Sequence, residues 1–279
     1  MKIKNKKKPR IIIMSGYGLN CEEETKFAFD WAGGSADIVH INDLIKKPKM
    51  LKEYQIMVFP GGFSYGDDTG SGKAYANKFK NHLSKELEEF LSHDTLLIGI
   101  CNGFQIITNL GIVPGALTYN KNGKYIDRWV DLKPVGKSPW LKGIKNISLP
   151  IAHGEGRYIK EKKVKNLAVA FKYTKGEIYD FQNLESNPNG SESDIAGVLA
   201  YNGRVLGLMP HPERAMFFHQ SPLWQTKKQK SRKIPKGGMS LQIFKNAINY
   251  FDKREAREGV ISLTASESMS KHRNRYFKQ

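Results

Sequence analysis

The chain has 279 residues, 39% hydrophobic and 26% charged, with a formal net charge of +18. That length and apolar share suit a single α/β domain whose core needs no covalent staples. Its two cysteines, 80 positions apart, argue against a disulfide framework and suit a reducing cytoplasm, and no apolar run is long enough for a membrane span or the core of a secretory signal.

The charge is uneven. Residues 1–10 carry +6 and residues 225–279 carry +10, which leaves +2 for everything between them. A basic arm over 1–10 and a basic, Ser-rich tail over 253–279, the latter expected to be disordered, therefore flank a domain expected over 11–252. A nucleic-acid-binding body would carry its basic patch within the folded part, so nucleic acid is not an expected partner.

In chain order, Ile11–Met14 reads as a buried strand and is followed by Gly16-Tyr17-Gly18. Cys21 stands where a dinucleotide fingerprint would have its third glycine, which disfavours that reading. Cys21 itself reads as a small buried residue opening a helix over Glu22–Ala32. Ile38–Ile41 and Ile56–Phe59 are the next expected strands, and the second breaks at Pro60-Gly61-Gly62, a tight turn that can expose amide groups. Gly70-Ser71-Gly72-Lys73 ends like a phosphate loop, but Asp67 occupies the first glycine position and Ala74 replaces Ser/Thr. A helix is expected over Tyr75–Leu91.

The most informative stretch comes next. The strand Leu96–Ile100 runs into Gly99-Ile100-Cys101-Asn102-Gly103, and a helix over Phe104–Leu110 follows. This is the strand–turn–helix context of a nucleophile elbow, with cysteine in place of serine. The helix N-terminus there favours thiolate over thiol. Residues 120–190 mix Tyr, Trp, Gly and Lys and are expected to add antiparallel hairpins. Two more strands, Ile195–Leu199 and Val205–Met209, lead to Pro210-His211-Pro212-Glu213-Arg214. The prolines stiffen that loop, and Glu213 can reach the far nitrogen of His211. A thiol needs a base to ionise and the base needs an acceptor, so Cys101, His211 and Glu213 form a candidate triad if their strand ends lie side by side. Amides of the Pro-Gly-Gly turn, with that of Asn102, could then bind an oxyanion. No metal site is expected, since neither cysteine has a histidine at ligand spacing.

These residues resemble the class I (triad) glutamine amidotransferases. Within them they are similar to the branch that serves as glutaminase subunits of phosphoribosylformylglycinamidine synthase. The likeness rests on ordered blocks over about residues 11 to 250: Gly18–Glu22, Pro60–Asp67, Gly99–Gln105, Pro114–Leu117, Arg128–Val130, Pro150–Arg157, Asn187–Ser191 and Met209–Arg214. Pro150–Arg157 and Asn187–Ser191 argue for the purine branch in particular.

The resemblance implies a flavodoxin-like, largely parallel sheet covered by helices on both faces, with added antiparallel strands. It implies that Cys101 attacks the side-chain amide of glutamine, His211 moves the proton and Glu213 holds His211. Gly61, Gly62, Phe63, Asn102 and Gln105 would serve the oxyanion hole and substrate. His153, Glu155 and Arg157 would face the active site or a partner. It further implies no cofactor in this chain, with ATP and magnesium used by a larger synthetase subunit that receives the ammonia, and a small bridging subunit as a further candidate partner. Asp68-Thr69-Gly70-Ser71-Gly72 and the length of 217–238 depart from the compact forms of the branch. Another Cys-His-Glu amidotransferase or peptidase of the same fold, or a catalytically silent binding protein, are the alternatives that the residues leave open.

Overall fold

The computed structural model describes residues 8–67, 70–230 and 234–252. Most of the basic arm and all of the basic tail lie outside the described residues. Arg10, expected in the arm, instead opens the first strand and is tied in by an Asp37 ion pair at 2.9 Å and by stacking over the Tyr54 ring.

The strands are β1 (Arg10–Ser15), β2 (Ser35–His40), β3 (Ile56–Phe59), β4 (Leu96–Ile100), β5 (Ala116–Thr118), β6 (Ile126–Pro134), β7 (Ile147–His153), β8 (Arg157–Ile159), β9 (Val169–Thr174), β10 (Ile195–Ala200) and β11 (Val205–Leu208). The helices are α1 (Glu22–Trp31), α2 (Ile41–Lys46), α3 (Lys73–Ser92), α4 (Asn102–Asn109), α5 (Glu177–Gln182), α6 (Trp224–Lys230) and α7, which covers 241–252 among the described residues. One nine-stranded sheet runs β2-β1-β3-β4-β11-β10-β9-β6-β7, and β5 pairs with β8 separately. Pairing is parallel from β2 to β11 and antiparallel from β11 to β7. The Ile195–Leu199 run, read with the buried strands, thus begins the antiparallel half.

Ile11, Ile12, Ile13 and Met14 are all fully buried, so β1 must be covered on both faces. The register identifies the covers. Ile11 pairs with Ile56, and it lies with Ile248 of α7 and the Phe29 backbone of α1 around Gly34. Phe59, three residues on from Ile56, points to the opposite face and packs edge-on against Tyr75 and Phe79 of α3. Phe29 and Phe244 meet edge to face at 5.0 Å and join α1 to α7. Phe217 extends this first layer, its ring tilted against those of Phe27 and Trp31 at 5.6 and 5.2 Å.

At the centre the two glycines of the elbow are required by packing. A Cβ on Gly103 would fall on the carbonyl oxygen of Phe59, and one on Gly99 would come within 2.6 Å of the Gly103 oxygen. Helix α4 therefore lies against β3 and β4 backbone to backbone. Gly103→Ala is expected to destabilise the domain by about 1–3 kcal/mol, as overpacking does. Thermal and urea unfolding of that variant check this, and an unchanged midpoint would contradict the packing argument.

Candidate active site

Three neighbouring strands end together. Phe59 of β3 pairs with Gly99 of β4, and Ile100 pairs with Leu208 of β11. The residues that follow these ends, Gly61, Cys101 and His211, therefore gather at the C-terminal edge of the parallel strands, where such sheets place ligands.

Cys101 sits at φ 51°, ψ −107°, a left-handed conformation that costs an L-residue roughly 1–3 kcal/mol. The surrounding bonds hold it there. Its N–H donates to Leu208 O at 2.8 Å, and its own carbonyl accepts the N–H groups of Phe104 and Gln105 that start α4. The result aims Sγ out of the sheet while leaving the residue 5% exposed.

His211 is buried, and its Nδ1 donates to Glu213 Oε1 at 2.5 Å. Burial works against charge on the imidazole. The Glu213 carboxylate, then Cys101, then the Cys21 sulfur outweigh it, and the pKa lies well above the ordinary histidine value. His211 Nε2 and Glu213 Oε2 are buried atoms with no hydrogen-bond partner. With a carboxylate on Nδ1 and no competing partner on Nε2, the ring can hold the thiol proton at Nε2.

The far edge of the sheet closes over this group. Although β7 is four strands removed from β11 in hydrogen-bonding order, Pro150 O accepts the His211 N–H at 2.8 Å and Ala152 O accepts the Cys101 thiol at 3.7 Å.

Gly61 and Gly62 turn beneath His211. A Cβ on Gly61 would lie 2.7 Å from His211 Cε1, and Gly62 has φ 152°. The turn is locked to the preceding loop: Asn20 and Cys21 donate to Gly61 O at 3.2 Å, and Phe63 N–H donates to Gly18 O at 2.9 Å. Phe63 N–H is therefore spent on Gly18 rather than offered to an oxyanion. Its ring, 41% exposed, stands near Tyr125 at the mouth. Asn102 is fully buried and accepts from Ser64 N–H through Oδ1. Gln105 was expected to position substrate, yet both ends of its amide are held by protein. Oε1 accepts from Asn102 Nδ2 and Nε2 donates to Glu155 O, each at 2.7 Å. Its side chain braces the turn and the Glu155 loop from behind. Gly72, in the phosphate-loop-like run, has φ 75° and would place a Cβ 2.8 Å from Ile106 N, so packing against α4 explains it.

Among the expected partner-facing residues, His153 is corrected. It is 2% exposed, with Nδ1 bonded to Asn120 Oδ1, and burial with the nearby His211 lowers it to about 3, so it is neutral and enclosed. Glu155 and Arg157 are half-buried, and Arg157 Nε donates to Gly190 O. The Asn187–Ser191 turn buttresses this loop: Asn189 Nδ2 donates to Gly156 O, and Ser191 Oγ accepts Tyr158 N–H.

Sequence reasoning missed Cys21 as a neighbour of the triad. Its sulfur, a His211 nitrogen and a Glu213 oxygen lie within 4.8 Å of one another, a grouping of metal-ligand type. The three side chains are joined to hydrogen-bond partners instead, His211 Nδ1 to Glu213 Oε1 and Cys21 Sγ to Arg214 Nη2, the latter at 2.8 Å. The available signal was position, since Cys21 directly precedes α1 at the same sheet edge where Cys101 directly precedes α4.

Residues 8–251 match the family described as the CobB/CobQ-like glutamine amidotransferase domain. The chain belongs to this family of glutamine amidotransferases. The amidotransferase is 46% identical over 267 residues to the phosphoribosylformylglycinamidine synthase subunit PurQ of Methanococcus maripaludis strain C5, covering 88% of this chain and 99% of that protein. It is 39% identical to the PurQ subunit of Dehalococcoides mccartyi, covering 87% and 98%. A chain in the solved structure of PurLQS from Thermotoga maritima superposes with a TM-score of 0.68 at 33% identity, covering 88% of this chain and 99% of that one. The resemblance to the purine branch is thus borne out, as is the mixed α/β fold.

Replacing Glu213 by Gln removes the carboxylate that holds His211 protonated against burial. The imidazole is then expected to lose its proton at lower pH, and glutamine hydrolysis to fall by about 10²–10⁴-fold, as when a triad loses its orienting acid. The pH profile of kcat measures both effects; an unshifted profile at wild-type rate would refute the assignment.

Proposed function

We propose that the chain is the glutaminase subunit of phosphoribosylformylglycinamidine synthase. It hydrolyses glutamine to glutamate and ammonia, and passes the ammonia to the synthetase subunit that makes the amidine for purine biosynthesis. The observation that carries this reading is a cysteine held at φ 51° on an elbow, one strand away from a buried histidine bonded to a glutamate at 2.5 Å.

The chemistry follows from these groups. The proton given up by Cys101 rests on His211 Nε2, and Sγ attacks the side-chain carbonyl carbon of glutamine. The carbonyl oxygen becomes an oxyanion beside the Gly61-Gly62 turn. The protonated imidazole, steadied by Glu213, gives its proton to the amide nitrogen as the C–N bond breaks. Ammonia leaves and a γ-glutamyl thioester remains. Water, deprotonated by His211, attacks the thioester, and the thiol departs with a proton to give glutamate.

No step in this chain calls for a nucleotide or a metal. ATP and magnesium are assigned to the synthetase subunit, and a small bridging subunit is assigned as a third component. Two free thiols, Cys101 in the triad and Cys21 beside it, support a cytoplasmic location, where they stay reduced. Among the described residues no helix is long and apolar enough to cross a membrane.

In the assembled enzyme, Cys101→Ala is expected to lose glutamine-dependent synthesis by more than about 10³-fold, since removing a nucleophile disables the whole triad. Synthesis from added ammonium chloride should continue. If glutamine still supports synthesis in that variant, the proposal fails.

A further inference from the structure

The mechanism leaves one buried nucleophilic side chain unused. Cys21 is fully buried, directly ahead of α1 and beside His211. A methyl group built on Gly61 would lie 2.7 Å from His211 Cε1 and 3.0 Å from Cys21 Sγ, so the sulfur and the imidazole edge share one wall. Behind the sulfur, Arg214 Nη2 donates to it at 2.8 Å, and the thiol proton is directed at Asn20 Oδ1, 3.5 Å away. Arg214 is itself drawn toward Glu24 and Glu213 at 3.6 and 3.9 Å. Through its backbone, Cys21 donates to Gly61 O at 3.2 Å. A single residue thus borders the base with its side chain and holds the Gly-Gly turn with its amide.

We propose that Cys21, fixed by Arg214, is a positioning residue that sets the tilt of the His211 ring and the place of the Gly61-Gly62 turn together. The proposal rests on the glutaminase reading above and extends it to a residue that never touches substrate. A thiol suits the position in three respects. Its soft sulfur accepts the guanidinium hydrogen and still packs against a ring edge, and it is small enough to clear Gly61. Alanine would open space at that edge, a larger side chain would press on Gly61, and the guanidinium on the sulfur opposes entry of a metal cation.

The test uses the assembled enzyme with Cys21→Ala, Cys21→Ser and Arg214→Lys. Displacing a catalytic group by an ångström costs about 10²-fold, so Cys21→Ala is expected to lower kcat for glutamine hydrolysis by roughly 10- to 100-fold with KM little changed. Cys21→Ser, whose oxygen can still accept from Arg214, should recover part of the loss, and Arg214→Lys should show an intermediate loss. The second readout is the pH dependence of Cys101 inactivation by a diazoketone analogue of glutamine, which reports the His211–Cys101 pair. Its midpoint should move in Cys21→Ala and return toward the parent in Cys21→Ser. Parental kcat with an unmoved midpoint in Cys21→Ala overturns the proposal. So does a lowered melting temperature with that midpoint unmoved, which would mark Cys21 as structural only. A parent enzyme that does not hydrolyse glutamine at all would instead overturn the functional reading on which this one rests.

Discussion

The approach of α4 to β3 and β4 at Gly99 and Gly103 is the constraint on which the site depends. With the Gly103 Cα set against the Phe59 carbonyl, the chain can leave β4 and enter α4 without a longer loop. That abrupt change forces one residue into the left-handed region, and Cys101 occupies it. The strain is met by the Leu208 carbonyl on one side and the first turn of α4 on the other. A nucleophile held in this way needs no reorganisation to face its substrate, which is the benefit that offsets the backbone cost.

Electrostatics then follow from enclosure. His211 and Glu213 are both nearly inaccessible, and each keeps a buried polar atom without a partner. Such orphans cost roughly 1–3 kcal/mol each in an ordinary core. Here they are the free valences of a proton relay: one faces the thiol and the other belongs to the carboxylate that opposes burial of the imidazolium. His153 shows the contrast. It is as deeply buried, but its neighbours are an amide oxygen and another histidine instead of a carboxylate, so it stays neutral. Two histidines near one pocket are driven to opposite charge states by what faces them.

The parallel half of the fold was legible because its signals are local. Short runs such as Ile11–Met14 and Leu96–Ile100, rich in Ile and Leu and followed by glycine-containing turns, read as strands buried on both faces, and glycines two positions either side of Cys101 announce an elbow. Cys101, His211 and Glu213 could be read because each follows a strand end by a short, stiff connection. The antiparallel half could only be outlined, since β6, β7 and β9 pair across long intervals with no turn that dictates register. The expectations for Gln105, Phe63 and His153 differ from the structure for a related reason. A motif shows which residue types cluster, but not which atoms are consumed by neighbours distant in sequence: Glu155 O and Asn102 Nδ2 for Gln105, Gly18 O for Phe63, Asn120 for His153. Cys21 escaped notice for the same cause, because its partners His211 and Arg214 lie about 190 positions away.

The antiparallel strands also explain how the blocks that marked the purine branch, which lie between Cys101 and His211 in sequence, reach the triad. Pro150–Arg157 supplies the Pro150 and Ala152 carbonyls that receive the His211 amide and the Cys101 thiol. Asn120 stands under that strand's end, bonding His153 O, His153 Nδ1 and Gly156 N at once. Asn187–Ser191 then clamps Gly156 and Tyr158 from the other side. The two blocks are one brace, in which a change at Asn189 reaches His211 through Gly156, β7 and Pro150. The scaffold of parallel strands makes a cysteine hydrolase possible, and the brace fixes the far wall of its pocket.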